Sequence, residues 1–348
     1  MSNHHRKLRM EQMERREMMA GDIAAFMQGG NLILNEAAGQ AGRDNAVSIM
    51  RLSDTMVRVT GMPTLADGTV SKVNGMSFQD FAISPNTSLF VNFGGGNDAV
   101  TFAPAGGEIS FKEIHVDVAA PSLITRTRGT TAQPFTFPSP DNDVVFLERF
   151  HTTGAVSINT GTGNDIVTIK NAKIGDVGLT AANVSINTGA GADIVKVFSN
   201  IDTTLITGTL DVQTYSSLGE SDPDAVLIAF VGAQGDMHVR TGGGNDDITL
   251  QNVGVSHHLD FDAGAGADTA TLDGVSALDS LMAKLGEGDD TLSTNNLFSN
   301  NLTLDGGGGF DRLNKNSDPF FTGHRTETGW EYVNGFPVLV HTGVATRR

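Results

Sequence analysis

The sequence predicts an all-β chain folded as a right-handed parallel β-helix, a solenoid with coils of about 22 residues capped at both ends. Three observations carry that prediction. A Gly-x-Gly-x-Asp turn occurs seven times, its aspartates together with two weaker copies recur most often at 21 or 22 residues, and short stretches of alternating apolar and polar residues flank each copy. Self-similarity with a period in the twenties is what a solenoid looks like in sequence, because each repeat is one supersecondary unit stacked on its neighbours.

The turns read Phe93-Gly-Gly-Gly-Asn-Asp98, Thr160-Gly-Thr-Gly-Asn-Asp165, Thr188-Gly-Ala-Gly-Ala-Asp193 and Thr241-Gly-Gly-Gly-Asn-Asp246. They continue with Ala263-Gly-Ala-Gly-Ala-Asp268, Leu285-Gly-Glu-Gly-Asp-Asp290 and Gly306-Gly-Gly-Gly-Phe-Asp311. Two weaker copies end at Asp143 and Asp224, where both glycines are lost. From Asp143 the steps are 22, 28 and 31 residues, then 22, 22, 22 and 21. The 45 residues between Asp98 and Asp143 are close to two periods, with a strand-like Ile109–Val118 in the gap.

Before each turn stand pairs such as Val156/Ile158, Val184/Ile186 and Leu259/Phe261; after it stand Val167/Ile169, Val195/Val197 and Ile248/Leu250. Period-two alternation places one side of each strand in a core and the other in water. At about 3.3 Å per residue, one period is long enough for a three-sided coil, and longer returns such as Asn171–Thr180 and Phe198–Gly208 read as insertions. A flat antiparallel sandwich is the rival, but it does not need the same turn on every strand pair.

The chain divides into a charged, helical tail at 1–30, an N-terminal β cap with the first coils at 31–88, the repeats at 89–313, and a C-terminal hairpin cap at 314–348. Asn334-Gly335 between alternating strands marks that last hairpin. Atypical terminal units are expected wherever a solenoid would otherwise expose sheet edges.

Composition removes several functions. With 40 acids against 23 bases the chain carries −17, which disfavours nucleic acid and anionic membrane surfaces. No cysteine means no disulfide, Cys-ligated metal or thiol nucleophile. No apolar run has the form of a Sec signal or a membrane span. His257-His258 lies outside any His-x-x-x-His pattern, and the glycine pairs precede strands, so they are neither phosphate loops nor dinucleotide fingerprints.

Stacked turns would place one carboxylate per coil about 4.8 Å apart, and like charges so close call for neutralisation. Calcium takes 6–8 hard oxygen ligands in flexible geometry. The turns resemble the hemolysin-type calcium-binding repeats of RTX proteins, Gly-Gly-x-Gly-x-Asp-x-U-x with U large and apolar, and Gly306–Leu313 fits every fixed position. The other six copies replace the first glycine with Phe93, Thr160, Thr188, Thr241, Ala263 or Leu285, and there is one motif per 22-odd residues where the family runs them in tandem. The resemblance implies calcium at Asp98, Asp165, Asp193, Asp246, Asp268, Asp290 and Asp311, with ligands from Gly242, Gly244, Gly264, Gly266, Gly286, Gly288, Gly307 and Gly309. Asp143 and Asp224 are not expected as sites because their turns lack glycine. The metal-free alternative has each Asp capping its own turn by accepting backbone N–H bonds, beside ladders of Thr160, Thr188 and Thr241 and of Asn97, Asn164 and Asn245.

Leu8–Ala20 is similar to the LE-x-LE-x-R-x-LL-type N-terminal motif of many large secreted or surface proteins of bacteria, with Met at positions where Leu is usual. That resemblance implies export. The function expected is a non-catalytic extracellular or surface module with a structural, adhesive or binding role, its partners being calcium and a surface polysaccharide or another surface protein. The alternative is a polysaccharide lyase or glycoside hydrolase, for which Glu220, Asp222 and Asp224 near Tyr215 offer carboxylates.

Overall fold

The computed structural model describes residues 21–346 apart from 41, 66–67, 104–106, 120–140, 217–219, 318 and 338–344. The N-terminal motif at Leu8–Ala20 lies outside the described residues. All regular structure among them is β, and most pairings are parallel, each strand lying against its counterpart one coil away. The result is a β-helix-like stack with three faces.

On the first face, Leu89–Asn92, Ile114–Asp117, Val156–Asn159, Val184–Asn187, Leu210–Gln213 and Met237–Arg240 pair in sequence, followed by His258–Ala265, Ser276–Glu287, Phe298–Gly308 and His324–Thr328. The second face begins just after each turn aspartate: Ala99–Ala103, Val144–Glu148, Ile166–Lys170, Ile194–Phe198, Ala225–Ala233 and Asp247–Val255, then Thr269–Asp273, Thr291–Asn295 and Arg312–Lys315. The third face uses the return stretches, including Phe150–Thr152, Lys173–Ile174 and Thr204–Ile206. Alternation sends Val156, Ile158, Val167, Ile169 and Ile174 into the interior, where they are buried. Phe102 and Phe150, on neighbouring coils, meet edge to face at 5.8 Å, a geometry aromatic quadrupoles favour.

Register changes two expectations. Ala99 pairs directly with Val144, so the 45-residue interval is one coil step and not two. Ile109–Phe111 and Ile114–Asp117 supply that coil's third and first faces, and the added length falls in the stretch leading to the next turn. Asp22–Gln28, assigned to the helical tail, is instead a strand antiparallel to Asn31–Glu36. Its residues Ile23 and Ala25 point inward and are buried, and Gly29-Gly30, both at positive φ, close the hairpin.

Antiparallel pairs gather at the ends. Ala46–Ser53, Met56–Gly61 and Phe78–Ala82 form a meander at the start of the stack, and Tyr332–Val333 folds back on Phe336–Pro337 around Asn334-Gly335 at its close. Among the described residues no helix is long and apolar enough to cross a membrane.

Candidate site: a column of buried aspartates

Each turn links a first-face strand to a second-face strand, and parallel register stacks the turns. The two glycine columns follow from that stacking. A Cβ on Gly264 would lie 1.7 Å from the Gly242 carbonyl oxygen, and one on Gly266 would lie 1.5 Å from that of Gly244. The same relation continues upward, Gly286 on Gly264 and Gly288 on Gly266. Each glycine therefore carries the carbonyl of the glycine below against its α-carbon, where a side chain has no room.

The aspartates turn inward and are 0–4% exposed. Every one but Asp311 donates its backbone N–H to the Oδ1 of the aspartate on the next coil. The run goes Asp98 to Asp143 (2.7 Å), Asp143 to Asp165, Asp165 to Asp193, Asp193 to Asp224 and Asp224 to Asp246 (2.8 Å each). It continues to Asp268, Asp290 and Asp311 (2.8, 2.8 and 2.9 Å). Asn45 N–H begins the chain on Asp98 at 2.7 Å, and Glu331 Oε2 ends it by accepting from Asp311 at 2.7 Å. The bond is thus between coils, not within a turn as an Asx cap would be.

A second ladder stands one residue earlier and runs the opposite way. Asn142 N–H donates down to Asn97 Oδ1 (2.8 Å), Asn164 to Asn142 (2.7 Å), Ala192 to Asn164 (3.0 Å) and Ala267 to Asn245 (2.8 Å). Phe310 N–H likewise donates to Asp289 Oδ1 at 3.0 Å. This ladder lies toward solvent, so Asn164→Ala is expected to lower stability by only about 1 kcal/mol, measured by urea unfolding.

Asp143 and Asp224, set aside for lack of glycine, are full members of the inner column. Their second glycine position, two before the Asp, is taken by Asp141 and Asp222, whose carbonyls lie against Gly163 and Gly244 of the coils above. The periodic Asp was the usable signal in the sequence; the glycines report only on the coil beneath.

Burial raises the carboxyl pKa values along the column. Asp98 and Asp143 are pushed up to about 9, Asp224 to about 8, Asp193 and Asp268 to about 7, Asp165 and Asp290 to about 6. Asp246 and Asp311 move up for the same reason. Accepted backbone N–H bonds offset part of the burial, and neighbouring carboxylates add to it. At about 4.8 Å and an effective dielectric near 20, two adjacent ionised members would repel by roughly 3 kcal/mol.

Calcium does not fit this arrangement. In the tandem repeat the residue five before the Asp is glycine, whereas six coils here carry buried side chains there: Phe93, Thr160, Thr188, Thr241, Ala263 and Leu285. The one glycine at that position, Gly306, shows what those side chains occupy: its Cβ would stand 2.9 Å from Asp311 Oδ2. Even there the space is taken, because the Gly329 carbonyl would lie 2.4 Å from that Cβ. Carbonyls of Gly161 and Gly242 already accept N–H bonds from Ala190 and Ala265, and those of Gly244, Gly264 and Gly266 abut the next glycine. Among the described residues no three acidic or histidine side chains gather as a metal cluster. Millimolar calcium is expected to leave Tm unchanged against an EDTA control in scanning calorimetry, since a ligand without a site in the folded state shifts nothing.

The other carboxylates do not converge either. Glu220 accepts N–H bonds from Gly191 (2.6 Å) and Ser216 (3.0 Å), Asp224 is buried in the column, and Asp222 is exposed. His258 Nδ1 pairs with Ser280 Oγ at 2.8 Å. Comparison of the chain with protein-family models, curated proteins and solved structures returned no match.

Proposed function

We propose that the chain is a non-catalytic module displayed outside the cell or on its surface, a right-handed parallel β-helix with a structural, adhesive or binding role. The carrying observation is the unbroken N–H to carboxyl column from Asn45 to Glu331, which commits the aligned acids to joining coils. Right-handedness follows the strong preference of parallel crossovers for that sense. Export rests on the likeness of Leu8–Ala20 to a sorting motif and suits a chain without cysteine. Deleting residues 2–20 is expected to retain the protein inside the producing cell, and fractionation reads the outcome; unchanged surface delivery would remove this support. A screen on pectin and alginate is expected to show no cleavage, and turnover would revive the lyase alternative.

A binding role is favoured by the third face. There Leu205, Gly232, Gly254 and Ser276 lie in one outward column, continuing to Phe298 and Phe320. Two side-chain-free positions leave a shallow trough of about 300 Å³ rimmed by Gln234, Ser256 and Leu278. An uncharged rim of amide and hydroxyl groups beside apolar surface suits a neutral polysaccharide. Substituting Gly232 and Gly254 with Gln would fill the floor and is expected to abolish retention on a polysaccharide array while leaving Tm nearly unchanged.

A further inference from the structure

We propose that the aspartate column is a proton-holding seam: in the folded stack the carboxyls whose Oδ2 is buried without a partner hold a proton on that oxygen, so mild acid tightens the fold and alkali loosens it.

The geometry separates the two oxygens of each carboxyl. Oδ1 is always an acceptor, fixed by the N–H of the preceding coil. Oδ2 of Asp98, Asp143, Asp165, Asp193, Asp246, Asp268, Asp290 and Asp311 is buried without a hydrogen-bond partner. An ionised carboxylate in that position would keep a charged oxygen out of water with nothing to meet it, an arrangement proteins avoid by neutralising the group. A proton on Oδ2 removes the charge and makes that oxygen a donor. Asp193 shows where such a donor would point: Thr188 lies beside the carboxyl, and its Oγ1 is likewise buried and outside any well-formed hydrogen bond. A hydroxyl both donates and accepts, so Thr188 can pair with this carboxyl in either protonation state, and the deciding threonines are those whose own proton is already engaged. Thr160 and Thr241 lie beside Asp165 and Asp246, and their hydroxyls already donate to the Thr188 (3.4 Å) and Ala263 (2.9 Å) carbonyls, so toward the carboxyl their oxygens are left to accept a proton from Oδ2. At Asp98, Asp268 and Asp290 the corresponding neighbours are Phe93, Ala263 and Leu285, apolar surface that accepts a neutral acid far better than an ion.

The charged groups facing the column are acidic too. Glu36 and Asp44 act on Asp98, Asp141 on Asp143 and Asp165, and Glu220 on Asp193 and Asp246. Asp289 faces Asp290 and Asp311, with Asp305 and Glu331 also at Asp311. Burial raises the pKa of Glu36, and Arg43 beside it offsets part of that rise. These neighbours reinforce proton uptake.

The sign follows from linkage. In the unfolded chain an aspartate titrates near 3.9, and in the folded column it titrates higher, so the folded state binds more protons between those values. The stabilisation is complete below the unfolded pKa and is lost as pH rises through about 6 to 9, the range of the folded values.

The test is infrared spectroscopy of the folded full chain at pH 7, reading the un-ionised carboxyl band, together with calorimetric Tm at pH 5 and pH 8.5. The expected results are a protonated-carboxyl band that disappears on unfolding and a Tm lower by about 5–10 °C at pH 8.5 than at pH 5. A variant with Asp143→Asn, Asp193→Asn and Asp268→Asn, which keeps the Oδ1 acceptors without the charge, is expected to flatten the pH dependence. Absence of the band with a Tm equal or higher at pH 8.5 would overturn the proposal. So would a calcium-induced rise in Tm at pH 8.5. Should the variant fail to fold, the wild-type band and pH profile decide.

Discussion

Gly266→Ala is expected to destabilise the stack by about 4 kcal/mol or more, lowering Tm by roughly 10 °C. The new Cβ would meet the Gly244 carbonyl oxygen at 1.5 Å, and φ at this position is +140°, which disfavours any L side chain. Neither contact can relax alone, because the coil above rests on Gly266 in the same way through Gly288. Gly178→Ala is the control: its φ is +83° but nothing lies within 4 Å of the added carbon, so about 1 kcal/mol is expected. Equal losses for the two would show that the glycine columns serve turn conformation only and not the contact between coils.

Asp224→Ala is the second large effect, and it separates a coil-joining column from a metal column. Its turn lacks both glycines, so a calcium-binding reading makes the residue silent. In the column it accepts Asp193 N–H at 2.8 Å and receives the Thr214 hydroxyl on Oδ2. Truncation leaves a buried N–H unmatched, worth about 1–3 kcal/mol, and the Thr214 hydroxyl with only its long 3.5 Å bond to the Thr241 carbonyl. The expected loss is about 3 kcal/mol, at least as large as for Asp268→Ala and measured by urea unfolding with m-values compared. Because stability in a solenoid is a sum of repeat and nearest-neighbour terms, unfolding of either variant is expected to broaden as the two flanking segments uncouple.

The all-β class and the spacing of the coils were legible because burial enforces alternation: Val156/Ile158 and Val167/Ile169 must face the same interior. Turn position was legible because glycine is demanded by the carbonyl one coil below, as at Gly264 and Gly266. What the sequence concealed depended on contacts between coils. Nothing local to Asp143 or Asp224 tells whether the carboxyl bonds its own turn, a neighbour's N–H or a cation; parallel register decides it. The Asp98–Asp143 interval misled because length alone does not distinguish an extra coil from an insertion, whereas the pairing of Ala99 with Val144 does. Asp22–Gln28 was hidden by the charged residues before it, although Ile23 and Ala25 alternate as an inward-facing strand should. The residue five before each Asp was visible from the start as a departure from the tandem motif. Only its inward, buried placement shows what the departure does, filling the space beside Oδ2.

The central claim is that the aspartate amides join coils through carboxyl oxygens without metal. Residue-resolved hydrogen exchange in the presence of EDTA tests it most directly. The expected result is that the amides of Asp143, Asp165, Asp193, Asp224, Asp246, Asp268 and Asp290 exchange as slowly as those of Val167 and Ile248 in the adjoining core strands, with no change when calcium replaces the chelator. Fast exchange of these amides in EDTA, slowed by calcium, would contradict it.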